Sequence, residues 1–351
     1  MLSLFGQAHG LVGEGIKMNK LNSINKVTIK PILYCPARCE FCIPRRDNYR
    51  RLRANSESQM RICDYEKLIV ELATLGVQEI CISGGEPTLY KHLDCLVRSI
   101  SLSNIKVSLN TNGFNLLNRL SKLIDSGLNC VGLSLYSNKI DIQDQLKKLD
   151  GIGAKAISLI KQFNNLDKKK DRSVKLYLYC ILLPQNAHDL YQYLAFAEAQ
   201  KVDGVFFSPV QGKLSTDNYY LSENNICTIE REIYEWVNNT QINLTSQKDA
   251  IFKFLDNMKT NACSIKHGVY KLDPDKPKSC EVSKHSFMIL ANGDVHACNM
   301  IEMAGEPPLG NINNSSLKEI LYGDSKKVFD NNVHKMCKYC AMSNTILIEM
   351  T

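Results

Sequence analysis

The sequence predicts an α/β protein, a parallel sheet built from six βα units, followed by a small C-terminal unit made of a β-hairpin and a helix. Two observations carry this. Between about residues 27 and 208, short β-branched runs alternate with stretches at helical spacing, with short connections between them, which implies parallel strands joined by right-handed crossovers. Beyond residue 260 the grammar changes. Two apolar runs, 286–291 and 294–298, flank Asn292-Gly293, a pair suited to the positive φ angles of a tight hairpin turn.

Taken in order, residues 1–26 form a lead-in rich in Gly and Asn, and the first strand is 27–34. An amphipathic helix at 64–75 follows, with Asp64 as its N-cap. The second strand, 78–83, ends in a double glycine, and 90–100 is helical. The third strand, 105–110, is closed by Thr111-Asn112-Gly113, and a helix runs to 126. The fourth strand is 130–136, with a helix at 149–163, and the charged stretch 167–172 is a turn. The fifth strand, 174–183, stops at Pro184, a helix reaches about 200, and the sixth strand, 204–208, stops at Pro209. Residues 27–221 make the main domain, 222–259 are bridging helices, and 260–351 are the C-terminal unit. In that unit Ser316 is the N-cap of a short helix, 317–322.

Directly after the first strand comes Cys35-Pro-Ala-Arg-Cys39-Glu-Phe-Cys42. Three thiols at spacings of four and three can converge on one iron-sulfur cube; a cube held by three thiolates keeps one iron open to a small molecule. A zinc site would need a fourth Cys or His nearby, and chance clustering in a chain of 14 cysteines is the remaining alternative. At the end of the second strand stands Gly84-Gly85-Glu86-Pro87, where paired glycines permit close backbone approach. CxxxCxxC after one strand and GGEP after the next, in that order and spacing, resemble the radical S-adenosylmethionine superfamily.

The resemblance implies a partial (β/α)6 barrel. It implies a [4Fe-4S] cluster on Cys35, Cys39 and Cys42, whose open iron chelates S-adenosylmethionine, and carries Phe41 over as a cofactor contact with the motif. It assigns Gly84, Gly85, Glu86 and Pro87 to the methionine amino group. Polar residues at other strand ends, Asn110, Thr111, Ser134 and Gln211, are carried over as candidates for its carboxylate and ribose. The chemistry implied is reductive cleavage to a 5′-deoxyadenosyl radical that abstracts hydrogen from a C–H bond of the substrate.

Cys280, Cys298, Cys337 and Cys340 form a second constellation. With Gly310-Asn311-Ile312 and a closing CxxC, they resemble the SPASM/Twitch extension, and the lack of cysteines after Cys340 points to the Twitch form with one auxiliary [4Fe-4S] cluster. Four thiolates leave no open iron, so an electron relay is the implied role. A closed zinc site is the alternative for this set, and a zinc-stabilised binding module the non-enzymatic alternative for the chain. Cys263, at the junction of barrel and extension, is a candidate hydrogen donor, with a spare cluster ligand or a buried small hydrophobe as the alternatives. Cys63, Cys81, Cys95, Cys130, Cys180 and Cys227 lack ligand spacing and are expected to be packing residues.

No apolar run approaches the length of a membrane span, and no signal peptide is present, so a reducing cytoplasm is expected. A net charge of +7 is too mild an excess for a nucleic-acid partner. The run Arg45, Arg46, Arg50, Arg51 and Arg53 is either a solvated loop or a dock for an acidic substrate or a flavodoxin- or ferredoxin-type electron donor. Enzymes of this branch mostly modify ribosomal peptides or protein residues, and others dehydrogenate aminocyclitol alcohols. The expected substrate is therefore a peptide, with a small polar metabolite such as an aminocyclitol or sugar as the alternative. A molybdopterin-type GTP cyclase is disfavoured, because its auxiliary cluster has three cysteines and its chain ends in Gly-Gly, whereas this one ends Glu349-Met-Thr. The first 26 residues are too few for a separate peptide-recognition domain, which weakens the peptide expectation without removing it.

Overall fold

The structure is a computed structural model that describes residues 24–42, 60–166, 174–210, 217–265, 281–298, 307–336 and 345–350. Six parallel strands lie side by side in chain order: β1 (Lys26–Lys30), β2 (Glu79–Ile82), β3 (Lys106–Thr111), β4 (Cys130–Ser134), β5 (Lys175–Leu182) and β6 (Gly204–Pro209). Strand residues alternate between two environments. Val27, Ile29, Ile80, Ile82, Val107, Leu109, Val131, Leu133, Leu176, Leu178, Val205 and Phe207 face the covering helices and form one buried core with them. Their neighbours in sequence, among them Thr28, Lys30, Asn110, Ser134, Tyr179 and Ser208, line a cavity on the other face.

The crossover helices are α1 (Ile62–Thr74), α2 (Leu93–Leu102), α3 (Leu120–Asp125), α4 (Ile140–Lys147), α5 (Ile152–Asn165) and α6 (Leu190–Ala199). Several expectations shift here. β1 ends at Lys30 rather than at 34, because Pro31 has no N–H to continue the ladder. Asp64 is not the N-cap of α1; that position is Arg61, and Asp64 sits in the first turn with its carboxylate 3.0 Å from the Arg61 guanidinium. The helix expected from 149 is preceded by α4, a polar eight-residue segment whose few apolar positions hid it. The chain breaks between α4 and α5 with Lys148 at φ 48° and Gly151 at φ 75°. Of the six cysteines expected to pack, Cys81 and Cys180 are buried and Cys130 is half-buried, but Cys63, Cys95 and Cys227 are exposed. On α1 the buried face is Tyr65, Leu68, Ile69 and Leu72, which leaves Cys63 on the solvent side.

The bridge is two helices, α7 (Glu223–Asn239) and α8 (Lys248–Thr260), followed by the single turn α9 (Ala262–Ile265). Ser222 opens α7 in a reciprocal capping box with Asn225. After α10 (Glu281–His285), the expected hairpin forms from β7 (Ser286–Leu290) and β8 (Asp294–His296). Its turn takes positive φ at Gly293 alone, with Asn292 in an ordinary conformation. The short β9 (Gly310–Asn311) extends the hairpin, Ser316 caps α11 (Leu317–Tyr322) as expected, and α12 (Asp324–Met336) follows.

The hairpin is not a separate layer. β7 pairs in parallel with β1, Thr28 opposite Met288 and Lys30 opposite Leu290, so hairpin and barrel share one sheet. On the far side, β10 (Ile346–Glu349) adds antiparallel to β6 and is anchored by Gln247, whose side chain bonds both the N–H and C=O of Glu349. The described strands run β10-β6-β5-β4-β3-β2-β1-β7-β8-β9, an open sheet rather than a closed barrel. No helix among the described residues is long and apolar enough to cross a membrane.

Candidate active site

The carboxyl ends of β1 to β6 surround the cavity, the end of a parallel sheet where ligands bind. Cys35, Cys39 and Cys42 line it together with Phe41, Gly84, Gly85, Asn110, Thr111 and Ser134. The structure thus gathers nine of the sequence-predicted residues around one space. Glu86 and Pro87 are buried behind its wall and do not line it. Cys298 follows β8, half-buried against the core and away from the cavity. Gln211, Cys280, Cys337, Cys340, the arginines at 45–53 and the side chain of Cys263 lie outside the described residues.

The two glycines position the thiol loop by approaching protein backbone. A Cβ on Gly84 would lie 2.3 Å from the Ile32 carbonyl oxygen, and one on Gly85 would lie 2.2 Å from that of Tyr34. Bare of side chains, the segment docks: Gly85 N–H donates to Ile32 O and Glu86 N–H to Tyr34 O, both at 2.8 Å. The end of β2 therefore clasps the chain one residue before Cys35. Glu86 then ties β2 to β3. One carboxylate oxygen accepts from Thr88 N–H (3.0 Å), Thr88 Oγ1 (2.5 Å) and Thr111 Oγ1 (2.6 Å), the other from Asn112 N–H (2.8 Å). The carboxylate of Glu86 thereby holds the strand ends together, and the Thr111 hydroxyl belongs to the same network.

Asn112, named in sequence only as part of a strand end, sends its Nδ2 to within 3.4 Å of Cys35 Sγ. Lys147, on the helix the sequence did not reveal, is the larger omission. It is 2 % exposed, lines the cavity, and its Nζ sits 3.9 Å over the Tyr136 ring with no salt-bridge partner among the described residues. Its carbonyl accepts from Arg38 N–H at 2.7 Å, which binds the end of α4 to the thiol loop. Phe41 stands edge-on to Tyr136 and Tyr219, at 5.2 and 5.4 Å between centroids. Glu40 accepts from Tyr219 at 2.7 Å and pairs with Lys148, so the loop is pinned from both flanks.

The donor set fits a cationic cluster. Burial pushes the Cys35 thiol up to about 11 and Glu86 pushes the same way, and a metal cation bound to this sulfur would favour its thiolate form. A buried ammonium such as that of Lys147, with no salt-bridge partner among the described residues, is costly until an anion joins it.

A profile for the radical SAM superfamily matches residues 29–197, and one for the SPASM iron-sulfur cluster-binding domain matches 280–341. The chain belongs to the radical SAM superfamily. As a radical SAM protein it uses S-adenosylmethionine and a [4Fe-4S] cluster, and its SPASM region brings an auxiliary iron-sulfur cluster; Cys280, Cys298, Cys337 and Cys340 all fall within that region. A GTP 3′,8-cyclase of Tolumonas auensis is 27% identical over 170 residues, 48% of each chain. A PqqA peptide cyclase of Rhodopseudomonas palustris is 28% identical over 178 residues, 50% of this chain and 44% of that one. The radical SAM chain spans about half the length of these curated relatives. Among solved structures, Streptococcus suis SuiB aligns with a TM-score of 0.62 at 17% identity, covering 90% of this chain and 70% of that one. The anSMEcpe structure with bound AdoMet aligns at 0.61, also at 17% identity, covering 90% and 89%. At such identity these two likenesses show the shared fold alone.

Proposed function

We propose that this chain is an enzyme that reductively cleaves S-adenosylmethionine and abstracts hydrogen from a C–H bond of a ribosomal peptide or a protein residue. The observation that carries the cleavage step is the convergence of Cys35, Cys39 and Cys42 on one cavity with the double glycine and Lys147. When bound, the cluster and S-adenosylmethionine supply the electron and the 5′-deoxyadenosyl radical. The chain's own residues do the rest: three thiols hold the cluster, Asn112 donates toward the Cys35 sulfur, and Tyr136 and Tyr219 pack edge-on against Phe41 to hold one side of the loop.

Lys147 is the residue here best suited to the cofactor's carboxylate, being a buried cation that lacks an anionic partner among the described residues. Lys147→Met should weaken S-adenosylmethionine binding about 10- to 100-fold, the worth of a charged hydrogen bond. Titration of the cofactor into the reconstituted protein measures it, and an unchanged Kd removes Lys147 from that role.

The peptide reading is supported by the similarity to a PqqA peptide cyclase and by the fold shared with SuiB, which has been solved with its precursor peptide SuiA. The similarity to GTP 3′,8-cyclases favours the second reading, a small polar substrate. Cys280, Cys298, Cys337 and Cys340 are assigned to a single auxiliary cluster that relays an electron. Anaerobically prepared protein should then carry about eight irons, two cubes of four; stoichiometric zinc in their place would refute both assignments. Changing Cys337 and Cys340 together to Ala should remove about four irons and stop product formation while some 5′-deoxyadenosine is still released. Loss of both activities in a folded variant with its first cluster intact would contradict this division of labour.

A further inference from the structure

We propose that Asn110 anchors an amide group of the substrate, a proposal that rests on the peptide reading above and narrows it. Asn110 is on the inner face of β3 and lines the cavity, yet both its Oδ1 and its Nδ2 are buried without a hydrogen-bond partner. Its neighbours are satisfied: the Thr111 hydroxyl goes to Glu86 and the Asn112 carboxamide to Cys35 Sγ and Phe114 N–H. A buried polar group left unpaired in a native fold calls for an explanation, and a ligand that completes it is one.

The arrangement around Asn110 is built to keep that space open to side chains. Opposite it on β4 stands Gly132. A Cβ there would lie 2.5 Å from Asn110 Oδ1 and 1.9 Å from Cε2 of Tyr179, so only glycine lets the carboxamide and the phenol ring share the room above β4. Tyr179 is in turn held edge-on by Phe206, 5.3 Å between centroids, and both rings line the cavity.

A carboxamide presents an acceptor and a donor side by side. A carboxylate would satisfy only its nitrogen and an ammonium only its oxygen. The N–H and C=O of one residue in an extended peptide satisfy both. Adenine offers the same adjacent pair at N6 and N7, so the experiment reads the cofactor as well.

The test uses the reconstituted protein with S-adenosylmethionine, wild type and Asn110→Leu, a near-isosteric apolar change. The probes are N-acetyl-alanyl-alanine N-methylamide and its ester analogue, in which oxygen replaces the central N–H. Wild type should bind the amide about tenfold or more tightly than the ester. Asn110→Leu should lose that preference and, without peptide, melt at a higher temperature, because the unpaired polar atoms are gone. A residue with a merely structural role would lower the melting temperature instead. Binding of neither probe, equal binding of both, a preference that survives in Asn110→Leu, or a lower melting temperature overturns the proposal. A fall in S-adenosylmethionine affinity matching the loss of peptide affinity also overturns it and assigns Asn110 to the cofactor. Cleavage of S-adenosylmethionine by wild type alone reports on the cleavage step separately, and binding of neither probe counts against the peptide reading itself.

Discussion

Replacing Cys35, Cys39 and Cys42 together by Ala is expected to abolish 5′-deoxyadenosine production under dithionite and to lower iron by about four per chain. The three thiols share one wall of the cavity, and the other described thiol there offers no substitute. Cys180 is buried on β5 with its sulfur 3.7 Å from the Tyr136 carbonyl and 3.6 Å from the Asn186 amide nitrogen. Alanine fits the space each thiol leaves, and the loop keeps its other ties, through Arg38, Glu40 and Phe41. The variant should therefore stay folded, so the loss reads on chemistry. Nucleoside released at the wild-type rate by the triple variant would end the proposed function.

Gly85→Ala is expected to cost about 3 kcal/mol or more, at the upper end for overpacking, and to empty the first cluster while leaving the auxiliary one filled. The new methyl would meet Tyr34 O at 2.2 Å, Leu33 O at 2.5 Å and the Tyr34 carbonyl carbon at 2.5 Å, all backbone atoms that cannot turn away. Either the chain before Cys35 moves or β2 does, and in both cases the thiols leave their common wall. Gly76→Ala is the control, since that glycine has positive φ but nothing within 4 Å of its missing Cβ. Its cost should stay near the 1–2 kcal/mol of a left-handed residue, with iron unchanged. Calorimetry and iron analysis of the two variants decide the matter, and equal iron in both would show that Gly85 does not position the loop.

The sequence by itself determined a great deal here, because the signals were local. Strand and helix periods, stops at Pro184 and Pro209, the Asn-Gly hairpin and the Ser316 cap each depend on a few adjacent residues, and the six parallel strands followed in their predicted order. The thiol loop and double glycine were equally legible, since their spacing along the chain is itself the signal. Where local grammar misled, a neighbouring residue was the cause: Pro31 shortened β1, and Arg61 took the cap expected of Asp64.

Only the tertiary structure decided what the long-range contacts impose. That β7 joins β1 in one sheet depends on pairing residues some 260 positions apart, which no periodicity encodes. Lys147 looked like one more charged residue in a polar segment, and became a buried cation only because α4 packs its end against the thiol loop. That Glu86 ties two strands together was likewise decided by the fold, because Thr111 and Asn112 arrive from β3 at its carboxylate. The unsatisfied amide of Asn110 exists only where Gly132 and Tyr179 meet it across adjacent strands. Burial and hydrogen-bond saturation are properties of the assembled sheet, and they separate a residue that holds the fold from one left ready for a ligand.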